Sequence, residues 1–84
     1  MSKLEKMRDR ICASPTPADI TWAEICSLLR KLGYTELSGA GSRRKFYNAA
    51  RDLLINCHQP HPQPTMPRYA VDAIVDHLKS NDLL

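Results

Sequence analysis

Apolar side chains recur along the chain with two periods, and the change of period marks the elements. Leu4, Met7 and Ile11 fall at i, i+3 and i+7 within residues 2–12, which predicts a short amphipathic helix with charges at most other positions. Ser14-Pro15-Thr16-Pro17 stops it, because proline lacks a backbone N–H and fixes φ. The pattern divides the chain into a helical appendage over 1–13, a linker over 14–19 and a main domain over 20–84. Docking on that domain is the plain expectation for the appendage; contact with a partner is the alternative.

The main domain opens with a helix start signal. In Thr21-Trp22-Ala23-Glu24 the Thr21 hydroxyl can accept from the Glu24 N–H while the Glu24 carboxylate reaches back, a capping box. Ile20 and Ile25 stand where a hydrophobic staple places them. The apolar stripe is Trp22, Ile25, Cys26, Leu28, Leu29 and Leu32. Arg30 and Lys31 complement the dipole of the last turn, and Gly33 can take the left-handed position that ends it.

After Gly33 the helical period disappears. Residues 34–38, 43–48 and 53–58 read as strands, joined by the glycine-bearing turn 39–42 and by the connection 48–52. Alternation puts Arg44 and Phe46 on one face of the second strand and Arg43, Lys45 and Tyr47 on the other. In the third it puts Leu53, Ile55 and Cys57 opposite Leu54, Asn56 and His58. Four prolines between Pro60 and Pro67 then form an extended loop. Pro67 suits the first turn of a closing helix with the stripe Val71, Ile74, Val75 and Leu78. The result is an α+β fold: an extra N-terminal helix, then α-β-β-β-α, with two helices packed on one face of a three-stranded antiparallel sheet. The other face stays open and carries Arg43, Lys45 and Tyr47, with His58 at its end.

Composition narrows the class. At 84 residues and 43% hydrophobic, the chain is expected to form one small domain with a modest core. It holds no apolar run long enough to span a bilayer, and residues 1–10 lack the apolar core of a secretory signal. A cytoplasmic protein is the expectation, with no membrane partner. Three cysteines without C-x-x-C spacing argue against a disulfide framework. Residues 30–68 carry seven basic side chains against two acidic ones, a local charge of +5 within a net +3. A polyanionic partner and a merely solvated face both account for that.

The stretch Asn56-Cys57-His58-Gln59-Pro60-His61-Pro62 gathers the remaining chemistry. Cys57, His58 and His61 are zinc-ligand types, yet no second ligand pair exists, and alternation separates Cys57 from His58. Cys57 on an apolar face is an inert thiol rather than a nucleophile. Gly39-Ala40-Gly41-Ser42 lacks the lysine and spacing of a phosphate loop. General acid–base cleavage of RNA needs a base for the 2′-OH, an acid for the leaving 5′-oxygen and cations around the phosphorane. Histidines beside an Arg/Lys-rich strand supply that inventory, with no cofactor required; loop histidines merely ordered by prolines are the plainer alternative.

Leu28-Leu29-Arg30-Lys31-Leu32-Gly33-Tyr34 followed by Gly41-Ser42-Arg43-Arg44-Lys45-Phe46-Tyr47 resembles the HicA-type toxins of toxin–antitoxin systems over roughly residues 20–80. The resemblance implies a double-stranded-RNA-binding-like fold and an mRNA interferase, an endoribonuclease that inhibits translation. It also implies a HicB-type antitoxin that covers the active surface, with DNA contacted only indirectly through that antitoxin. In the common family pattern the catalytic histidine directly follows Gly-Ser, where this chain has Arg43. Arginine stays protonated and is a poor base. Proton transfer therefore falls to His61, which matches the family's downstream histidine, and to its neighbour His58. Ser42, Arg43, Arg44, Lys45 and Tyr47 are left to bind RNA. Loss of catalysis, leaving a module that binds RNA or antitoxin, stands as the alternative.

Overall fold

The computed structural model describes residues 3–38, 41, 43–60 and 63–84. Its elements are α1 (Lys3–Ile11), α2 (Trp22–Lys31), β1 (Thr35–Ser38), β2 (Arg43–Asn48), β3 (Leu53–His58) and α3 (Arg68–Ser80). The strands form one antiparallel sheet in chain order, with β2 in the centre. This is the α+β arrangement, α-β-β-β-α after an additional helix, that the periodicity predicts.

Local chemistry sets the limits of α2. The Thr21 hydroxyl accepts from the Glu24 N–H at 3.2 Å, and the Glu24 carboxylate accepts from the Thr21 N–H at 3.1 Å. Ile20 and Ile25, the staple residues, are fully buried. At the other end Gly33 sits at φ +99°, donating to the Arg30 carbonyl, while Tyr34 donates to Leu29. Those two bonds make a Schellman ending, which needs the left-handed conformation glycine tolerates. Pro67 stands one place before α3 rather than inside its first turn. Its ψ of 144° is extended, and proline offers no side-chain acceptor for the helix N–H groups.

The core lies between the sheet and the helices. Phe46, Ile55 and Cys57 meet Ile25, Leu28 and Leu29 of α2 and Val71, Ile74 and Leu78 of α3. The Trp22 ring tilts against Phe46 at a centroid distance of 5.8 Å. Ile11 is 1% exposed and belongs to the same core. Arg10, next to it, bonds Glu24 at 2.7 Å. The first helix is thereby seated on the domain rather than standing off it.

Two ties have no periodic signature. Asn48 is 2% exposed; its amide donates to the Leu32 carbonyl and its oxygen accepts from the Arg51 N–H, joining the end of α2 to the β2–β3 turn. The tail of the proline-rich loop crosses the start of α2. Thr65 bridges Thr21, the Trp22 N–H donates to Pro64, and the Met66 N–H donates to Ile20.

A cationic cleft on the open face of the sheet

The register of the sheet assembles the site. Arg43 faces His58 across β2 and β3, Lys45 faces Asn56, and Tyr47 faces Leu54. On the β1 side Lys45 faces Leu37 and Tyr47 faces Thr35. Side chains alternate between faces, so Arg43, Lys45, Asn56 and His58 are exposed while Phe46, Ile55 and Cys57 are buried beneath them. The open face therefore runs from a Tyr47–Leu54 end to an Arg43–His58 end. A depression of about 350 Å³ occupies the charged end, lined by Arg43, Arg44, Lys45, Asn56, Cys57 and His58.

Arg44 points to the other face. Its side chain is 24% exposed and lies 3.6 Å from the Glu36 carboxylate. It also donates to the carbonyls of Gly41 and Arg43, both at 2.8 Å. Arg44 thus braces the β1–β2 turn, where Gly41 has φ +60°. Of the three basic residues in β2, Arg43 and Lys45 have the open face to themselves.

Tyr47 occupies the far end of that face and donates to Asp52 at 2.9 Å, a bond that raises its phenol pKa. Ser42 and His61 lie outside the described residues. Cys57 is buried, and desolvation, helped by nearby Cys26, pushes its thiol up to about 11. At neutral pH it carries its proton and is no nucleophile. His77, in α3, is engaged elsewhere, with Nε2 2.9 Å from the Tyr34 hydroxyl. Among the described residues no three His, Cys, Asp or Glu side chains gather into a metal-binding group.

The expectation drawn from alternation thus leaves His58, Arg43 and Lys45 together and sets Arg44 apart. Asn56 joins them; alternation places it on this face, but an amide gives no signal of a role. A forked guanidinium suits the two anionic oxygens of a phosphodiester, and an imidazole beside it can exchange a proton.

A family model described as the HicA toxin of bacterial toxin–antitoxin systems matches residues 22–82. The match runs from the start of α2 past the end of α3 and leaves out α1. No curated protein and no solved structure matches the chain.

Proposed function

Because the chain belongs to the HicA toxin family, and so acts as the toxin of a toxin–antitoxin pair, we propose that it is an endoribonuclease that cleaves mRNA by general acid–base chemistry without a metal ion. The observation that carries this reading is the pairing of Arg43 with His58 on the exposed face, next to Lys45.

In the reaction a base takes the 2′-OH proton, and the 2′-oxygen attacks the adjacent phosphorus. The bond to the 5′-oxygen breaks as an acid protonates that oxygen, leaving a 2′,3′-cyclic phosphate. His58 and His61 perform the two proton transfers. Arg43 and Lys45 hold the phosphate oxygens and stabilise the charge that grows on them, the effect that contributes most in sites of this type. Arg44 supports the turn beside them, and Ser42 and Tyr47 extend the RNA contact. A HicB-type antitoxin silences the toxin by covering this same face.

Induced expression is expected to arrest growth, with His58→Ala and His61→Ala each relieving the arrest while circular dichroism stays unchanged. Full toxicity in both variants would remove the acid–base assignment. A second reading is favoured by one observation: arginine stands where the family has its catalytic histidine. In that case the protein binds RNA in a salt-sensitive way and yields no cleavage product at any pH.

A further inference from the structure

A second depression, about 210 Å³, opens between the end of β3 and the start of α3. Pro60, Met66, Tyr69 and Ile74 make its apolar wall, and Asn56 and Gln59 its polar one. Asn56, Cys57 and His58 line both this depression and the cationic one. The two depressions adjoin at the end of β3, with His58 in the wall of each.

Tyr69 is the feature that the fold does not explain. It is 78% exposed, the highest value among the large apolar side chains described. Among the described residues its ring meets no other aromatic ring; the two ring contacts are Trp22–Phe46 and Tyr34–His77. It lies off the buried stripe Val71, Ile74, Val75 and Leu78, so packing does not require it. Its turn of α3 holds no acidic residue, and Arg68 precedes it.

Size and charge together select an occupant. The apolar depression is smaller than the ~300 Å³ at which pockets for drug-sized ligands begin. It suits one planar ring, not a helix that needs anchors along two turns. The cationic depression next to it calls for an anion attached to that ring. A planar ring carried beside a phosphate is a nucleotide. A base inside a duplex is stacked and out of reach, so the ring must be unpaired.

Resting on the ribonuclease reading above, we infer that Tyr69 is the platform of a base-binding subsite: one unpaired nucleobase of the RNA stacks on it, while the adjoining phosphate lies against Arg43 and Lys45. Asn56 and Gln59, each with an amide donor and acceptor, face the edge of that base and give the cleft a means of choosing among bases.

The test is a titration of the wild-type protein with a short, unstructured, fully 2′-O-methylated oligonucleotide, which lacks the attacking hydroxyl and survives intact. The same titration is run on Tyr69→Ala, Tyr69→Phe and Arg43→Ala, and repeated with a duplex of the same strand. Tyr69→Ala is expected to weaken single-strand binding about 5- to 160-fold, the span of one base–aromatic stack, with the salt slope unchanged. Tyr69→Phe is expected to bind as wild type, and the duplex to be indifferent to both. Single-strand binding by Tyr69→Ala equal to wild type overturns the subsite, as does an equal loss on the duplex. If Tyr69→Ala instead breaks only the complex with the antitoxin, the groove docks protein and the inference falls. In each of these cases a loss in Arg43→Ala keeps the RNA reading intact. Absence of any oligonucleotide binding removes both. Because Tyr69 is exposed, circular dichroism is expected to show all variants folded.

Discussion

Arg43 and His58 are directly opposed on neighbouring antiparallel strands, one fixed cation against one imidazole, both on the exposed face. On the ribonuclease reading proposed above, the pairing separates two tasks that a histidine at position 43 would have combined: arginine cannot give up its proton, so charge stabilisation falls to β2 and proton exchange to β3. The rigid ladder between them fixes their relative position.

Arg43→Ala is therefore expected to weaken RNA binding about equally for all sequences. It should also reduce the slope of log affinity against log salt by about 0.7, the contribution of one phosphate contact on a single strand. Fluorescence anisotropy over a salt series measures this. An unchanged slope in Arg43→Ala would place the phosphate elsewhere.

Glu24 links stability to pH. The Arg10 guanidinium first, and the Thr21 backbone N–H with it, hold the Glu24 carboxyl below its ordinary value of 4.5. A depressed carboxyl contributes stability that is fully present above the unfolded value and is lost as pH falls through the lower, folded one. Wild type is thus expected to lose stability below about pH 4.5 more steeply than Glu24→Gln, as followed by urea midpoints. At neutral pH Glu24→Ala should cost on the order of 1 kcal/mol, the usual worth of a helix cap. Parallel pH profiles for the two proteins would show that the Arg10–Glu24 pair is not formed in solution.

Cys57 offers a check on the chemistry by exclusion. With its thiol at about 11 and its side chain in the core, it is expected to resist alkylation in the folded protein at neutral pH and to react on unfolding. Cys57→Ala should stay toxic. Loss of toxicity without loss of fold would return the cysteine to the mechanism.

The elements were legible because each follows a short-range rule. The capping box at Thr21, the glycine ending at Gly33 and the alternation through Phe46, Ile55 and Cys57 all appear in the structure. The same alternation brought Arg43, Lys45 and His58 to one face. What stayed hidden depends on residues distant in the chain. The stripe ending at Ile11 made docking of the first helix the plain expectation, but which core it completes is set by residues past 20. Asn48 looks like an ordinary turn residue until Leu32 and Arg51 are seen around it. Alternation sets Arg44 apart from Arg43 and Lys45, but only its bonds to the Gly41 and Arg43 carbonyls and its distance to Glu36 reveal a bracing role. Tyr69 shows as off the stripe, but the groove beside it needs both β3 and α3 in place.

The bridge between Thr21 and Thr65 has a consequence for how such a protein can change. The span after His58 is anchored at both ends, by the sheet at one and by the start of α2 at the other. Loop-closure entropy grows slowly, costing about 0.6 kcal/mol for each doubling of length. Residues can thus be inserted, removed or exchanged there at little cost to the domain, while changes at Gln59 and Pro60 reshape the groove beside Tyr69. On the proposed reading, drift in this one span alters target preference while the scaffold and its core stay as they are.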